Sequence, residues 1–109
     1  VTPADNTDKT DLSSRDYIFP DSNSRYLTDE DLSGYSSDQL ELAKNEIYAR
    51  HGRKFVTQRI ADYFNSKSWY KGTVEPETFD ADTSVFNEYE VANIQKIADT
   101  EGKLRSEGK

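Results

Sequence analysis

A chain of 109 residues, with 33% hydrophobic and 32% charged side chains, is sized for one small domain that buries roughly 60–68% of its unfolded surface, which excludes a large internal cavity. A net charge of −7 argues against nucleic-acid binding, whose affinity comes from clustered Lys and Arg on phosphates. The absence of cysteine excludes disulfides, thiolate metal sites and cysteine nucleophiles, and no run approaches the roughly 20 apolar residues of a membrane helix, so direct membrane insertion is not expected.

Residues 1–16 read VTPADNTDKTDLSSRD. They hold too little apolar surface to offset the entropy of ordering, and are expected to be a flexible linker. With no methionine in the chain, Val1 is expected to follow a processing event or a cut. Tyr17-Ile18-Phe19 and Arg25-Tyr26-Leu27 flank the turn-forming Pro20-Asp21-Ser22-Asn23, predicting a short extended segment or small hairpin at the start of a domain over 17–101. Thr28 offers a cap and Asp29-Glu30-Asp31 an acidic first turn for a brief helix to about Ser33, ended by Gly34.

Ser36-x-x-Gln39 is a capping box. After it Leu40, Ala43, Ile47 and His51 recur three or four apart, so the spacing predicts a helix over 37–51 with Gly52 as its left-handed stop. Thr57 can cap a shorter second helix that buries Ile60, Tyr63 and Phe64. Gly72 and Pro76 mark turns. A long helix is predicted from about Thr83 to Glu101, with Phe86, Tyr89, Ile94 and Ile97 near one face, closed by Gly102; residues 102–109 are expected to fray. The fold class is therefore mainly α: two shorter helices and one long C-terminal helix.

Charge is uneven along this plan. Residues 50–71 hold Arg50, Arg53, Lys54, Arg59, Lys67 and Lys71 against Asp62 alone. With Tyr63, Phe64, Trp69 and Tyr70 interleaved, Arg53, Lys54, Arg59, Lys67 and Tyr70 form a candidate surface for an anionic or carbohydrate partner. The ordinary alternative is that the rings are core and the cations merely solvated.

The string Tyr48-Ala49-Arg50-His51-Gly52 stands out, followed by Tyr63-Phe64-Asn65-Ser66-Lys67 before Trp69-Tyr70, and by Asn87-Glu88-Tyr89-Glu90 before Ala92-Asn93-Ile94. In this order, over roughly Tyr17 to Ile97, the chain resembles the YARHG domain family. Ser68 and Gly72 stand where the resemblance leads one to expect Pro, and Phe86 where it leads one to expect Leu. The resemblance implies a small bacterial extracytoplasmic module, often carried on membrane-anchored or lipoprotein chains, with a cell-envelope or protein-binding role and no activity attached.

Several residues invite a sharper chemistry. His51 is the single histidine, but it lies on the apolar stripe in the last helical turn, where a hydrogen-bonded structural role and a favourable dipole position explain it. Zinc would need two or three further ligands of suitable spacing, and without Cys or another His only carboxylates remain to supply them. Glu46 and Arg50 are spaced for an intrahelical ion pair of about 0.2–0.5 kcal/mol, too little to account for a motif. Arg50 or His51 is therefore expected to reach Asn87, Glu90 or Asn93 on the long helix, forming a polar clamp. Tyr48, Arg50, His51, Gly52, Glu46, Glu90 and Asn93 are the structural motif residues. Asp29-x-Asp31-x-Ser33-Gly34 imitates a calcium loop, yet its twelfth position is Leu40 where a bidentate Glu is required. No nucleophile elbow is present, and no metal, cofactor or catalytic residue is assigned. The expectation is a non-catalytic binding module at the cell surface or outside the cell, recognising a cell-envelope component or a surface partner; the alternative is a protein-interaction or spacer domain of a larger membrane-anchored surface protein, with no small ligand.

Overall fold

The computed structural model describes residues 17–108; the expected linker over 1–16 and the last residue lie outside them. Among the described residues five α-helices follow one another: α1 (Asp29–Leu32), α2 (Ser37–Arg50), α3 (Gln58–Asn65), α4 (Pro76–Ala81) and α5 (Glu88–Ser106), with a 3-10 turn over Thr83–Val85 between α4 and α5. The mainly helical class and the long C-terminal helix are as the sequence predicts. Among the described residues the β-type pairing is a lone bridge between Arg53 and Val74.

Capping chemistry sets the boundaries. Thr28, Ser36 and Asn87 each complete a reciprocal capping box, with Asp31, Gln39 and Glu90 respectively, satisfying amides that a helix N-terminus leaves without partners. The Asn87 box makes α5 begin at Glu88, later than the apolar spacing suggested, and leaves Phe86 just ahead of the helix rather than on its face. Gly102 does not close α5. The helix continues to Ser106, because Leu104 packs on the core and Arg105 bonds Glu101 one turn back; the left-handed stop is Gly108, at φ +79°. Most of the expected frayed tail is thus helical. Gly52, at φ +92°, ends α2 as predicted.

Three further expectations are corrected. Thr57 occupies the N-cap position of α3 but makes no side-chain cap bond; only its carbonyl engages, accepting from Ile60 and Ala61. Residues 17–27 form no hairpin. They run through successive turns, with the Ser22 amide donating to the Phe19 carbonyl and the Ser24 and Arg25 amides to that of Asp21. Pro20 supplies no amide for a ladder, and other backbone groups of the segment are bonded by helix side chains instead. Helix α4 stands where Pro76 predicts a turn; Pro76 at its first position is a helix-starting signal as well as a turn signal.

The core has two parts. In the larger, Leu40, Ala43 and Ile47 of α2 meet Ile97 of α5, with Ile18, Phe19, Leu27, Leu32 and Tyr35 closing one end. The smaller joins Ala49 to Ile60 and Phe64 of α3, with Phe55, Trp69 and Tyr70 around it. Tyr17 stacks on Trp69 at a ring-centroid distance of 4.9 Å, tying the start of the domain to the second cluster.

Candidate functional site

The motif residues occupy the seam between α2, α5 and the 17–27 segment. Glu46 faces inward from α2 and is fully buried. The Ile18 amide donates to its Oε1 at 2.6 Å and the Phe19 amide to its Oε2 at 3.0 Å. It does not form the intrahelical ion pair with Arg50 that the spacing allowed, because burial rewards bonding to otherwise orphaned amides more than a solvated pair. Arg50 donates to the Pro20 carbonyl at 3.1 Å, and its guanidinium lies 4.7 Å from the Tyr17 ring centroid. Asn93, buried on α5, accepts from the Leu27 amide at 2.8 Å and donates to the carbonyls of Ser22 and Arg25 at 2.8 and 2.9 Å.

The expected clamp between helices is made by His51. Its Nε2 lies 2.8 Å from Glu90 Oε2, within hydrogen-bond distance. The other Glu90 oxygen accepts from the Asn87 amide at 3.0 Å, so one side chain both caps α5 and receives the end of α2. The His51 ring is also edge-on to Phe86 at 5.2 Å. Asn87 donates to the Asn23 carbonyl. Gly52 follows in a left-handed conformation that any side chain would strain, and a β-carbon there would come within 2.7 Å of Thr73 Oγ1. The Gly52 carbonyl accepts from the Thr73 and Val74 amides. Glu46, Arg50, Asn87 and Asn93 thus bond the main chain of 17–27, while His51 joins α2 to α5.

The basic stretch is arranged differently. Arg53 makes a two-pronged contact with Asp80 of α4 at 3.0 and 3.1 Å, which holds the Asp80 carboxyl below the usual carboxylate range. Lys54 pairs with Glu75 at 2.6 Å, and Arg59 of α3 with Glu41 of α2. Lys67 is buried, 4.7 Å from the Tyr63 ring centroid. Tyr70 donates its hydroxyl to the Arg53 carbonyl at 2.8 Å, and burial raises its phenol pKa. The structure therefore brings Arg53, Lys54 and Tyr70 together, but sets Arg59 against α2 and packs Lys67 on a ring, with the three outward cations each facing an acid.

Their acidic partners carry a signal that motif reading passed over. Residues 72–95 contain Glu75, Glu77, Asp80, Asp82, Glu88 and Glu90 and neither Lys nor Arg. This run supplies α4 and the start of α5, and beside it lies a mainly apolar depression of about 350 Å³ between α2, α4 and α5, lined by Tyr48, Phe79, Phe86, Val91 and Ile94 together with the polar Asp80 and Gln95. Burial raises the Tyr48 phenol pKa. The Tyr48, Phe79 and Phe86 rings contact one another at 5.6–6.0 Å, and Val91 is 55% exposed. Asp31, the centre of the calcium-like spacing, is engaged by Thr28 and Arg25. Among the described residues no three His, Cys, Asp or Glu side chains are grouped to hold a metal.

The family model of the YARHG domain matches residues 15–102. The chain belongs to the YARHG domain family. The matched span holds the whole seam of Glu46, His51, Glu90 and Asn93. The YARHG domain is of the extracellular type, and no helix among the described residues is long and apolar enough to cross a membrane. No curated protein and no solved structure matches the chain.

Proposed function

We propose that this YARHG domain is a non-catalytic recognition module working outside the cytoplasm, holding a protein partner of the bacterial cell surface rather than an anionic wall polymer. The observation that carries the reading is the contrast in what each surface leaves open. Arg53, Lys54 and Arg59 are already met by Asp80, Glu75 and Glu41, so this face presents a polyanion with far less net positive charge than its count of cations suggests. The depression at Tyr48, Phe79 and Phe86 is mainly apolar and keeps Val91 in water, and burial of exposed apolar surface is a main driving force of protein association. The non-catalytic part of the reading is supported by the employment of Glu46, Arg50, His51 and Glu90 on the chain's own fold.

The test compares co-sedimentation of the folded domain with intact bacterial envelope fragments and with the same fragments stripped of protein by protease, across a salt series. Retention on intact fragments and release after stripping is the expected result. Salt-sensitive retention on stripped wall, lost in a variant combining Arg53→Ala, Lys54→Ala and Arg59→Ala, would return the site to the basic stretch. A domain that stays in solution with both preparations is a spacer.

A further inference from the structure

The geometry points to a specific class of partner for this domain: a polypeptide segment that places one bulky apolar side chain in the depression between α2, α4 and α5 and carries Lys or Arg on either side of it. The inference rests on the recognition reading above and assigns its surface and chemistry.

Two observations select this occupant. The lining rings and Ile94 form an apolar floor, and Val91 lies at the rim with more than half its surface in water, a pattern that suits a side-chain anchor. The elements that build two of the walls come from the cation-free run over 72–95. Within that run Glu75, Asp80 and Glu90 are engaged by Lys54, Arg53 and His51, and Glu88 accepts only a phenol hydrogen bond from Tyr26. Glu77 and Asp82, both exposed, have no cation partner among the described residues. On the α2 side the nearby cations are already paired, Lys44 with Glu101 at 3.3 Å and Arg53 with Asp80. Glu77, Asp82 and Glu88 therefore give the surroundings of the depression an uncompensated negative charge, which attracts a basic segment and repels an acidic one.

The same chemistry disfavours the other occupants. Wall polyanions and nucleic acids share the sign of the rim. The chain's own residues 1–16 bring four Asp against one Lys and one Arg and have no aromatic side chain. A second copy would have to offer the basic stretch, whose Arg53, Lys54 and Arg59 are closed onto acids of their own fold.

The experiment is a heteronuclear NMR titration of the isotope-labelled domain with three short synthetic peptides: alternating leucine and lysine, alternating leucine and glutamate, and alternating serine and lysine. The leucine–lysine peptide should move the methyl resonances of Val91 and Ile94 and the amide of Gln95, with an affinity that falls as salt rises. The other two peptides should bind at least roughly tenfold more weakly, one for lack of charge complementarity and one for lack of an anchor. Val91→Lys, at an exposed helical position, should abolish the shifts while leaving the circular dichroism spectrum and melting curve of the domain in place. Equal binding of the leucine–glutamate peptide, shifts scattered away from α4 and α5, or no shift with any peptide would overturn the assignment. If Val91→Lys also releases the domain from protein-bearing envelope fragments, the groove is the recognition surface. If those fragments still hold the variant, the groove assignment falls and the recognition reading stands; if they never held the wild type, the recognition reading itself falls.

Discussion

The seam of α2 and α5 and the basic stretch after Gly52 use the same side-chain chemistry to opposite ends. At the seam, Glu46 and Asn93 are 0% and 1% exposed and bond main-chain groups that water cannot reach. In the basic stretch, Lys54 and Glu75 lie 2.6 Å apart with side chains 46% and 64% exposed, and each could exchange its partner for water at little cost. A short distance is thus a poor guide to energy. What counts is the state each group falls back to when its partner is removed: a buried amide without an acceptor in the first region, a hydrated ion in the second.

The comparison is tested most severely at Glu46. Glu46→Ala leaves the Ile18 and Phe19 amides without their acceptors and should cost on the order of 3–5 kcal/mol in urea denaturation. For a domain of total stability about 5–15 kcal/mol, that loss brings much of the population to the edge of unfolding. Glu46→Gln keeps one oxygen as acceptor and should recover about half of the loss. A cost below about 1 kcal/mol for Glu46→Ala would mean that water reaches the 17–27 segment freely, and the distinction between the regions would collapse.

Glu90 comes next, because it combines a cap with the clamp. Glu90→Ala removes the acceptor of the Asn87 amide and the partner of His51, and should cost about 2 kcal/mol and lower the melting temperature clearly. A variant that melts like the wild type would remove the clamp between α2 and α5 from the account of the fold. This pair was legible in the sequence. His51 falls on the α2 stripe, and the order of motifs places Glu90 near the start of the long helix.

Other parts were less legible, for physical reasons that differ from residue to residue. The boundaries of α1 and α2 follow from local capping chemistry, so Thr28, Ser36 and Gly52 announce them. Helix α4 is six residues long and begins with Pro76, a residue that serves turns and helix starts alike. The 17–27 segment was misread because its main-chain partners are distant in sequence: Glu46 acts over 27–28 residues and Asn93 over as many as 71. Glu46 itself was assigned to Arg50 because a four-residue helical spacing is visible in a sequence and burial is not. In the basic stretch the cations were easy to count, but their neutralisation by Asp80, Glu75 and Glu41, between 18 and 27 residues away, depends on how α2, α3 and α4 pack.

Asp31, with its side chain 25% exposed, is intermediate in burial and sharpens the comparison through pH. Its carboxylate bonds Arg25 at 2.8 Å and accepts the Thr28 amide, with Arg25 the main cause and the Thr28 amide the next of a pKa far below the ordinary range. A folded pKa below the unfolded value of about 3.9 stabilises the fold fully above that value, and the contribution is lost as pH falls through the folded pKa. Wild type should therefore exceed Asp31→Asn by a constant margin at neutral pH, and the margin should shrink steadily below about pH 4. Urea denaturation from neutral to strongly acid pH measures it. Parallel curves over the whole range would show that the contact does not distinguish the folded from the unfolded chain.

The smallest effect belongs to Lys54. Its bond to Glu75 raises the Lys54 pKa, so any contribution to stability is present below the ordinary lysine range near pH 10.4 and is lost as pH rises through the folded pKa. Both groups are exposed, and surface pairs of this kind are largely cancelled by side-chain entropy and salt screening. Lys54→Ala should leave the melting temperature unchanged at physiological ionic strength and lower it slightly in dilute buffer. A loss that matched Glu90→Ala and persisted in high salt would show that the pair is shielded from water despite its exposure. In that case the basic stretch would be fastened as firmly as the seam.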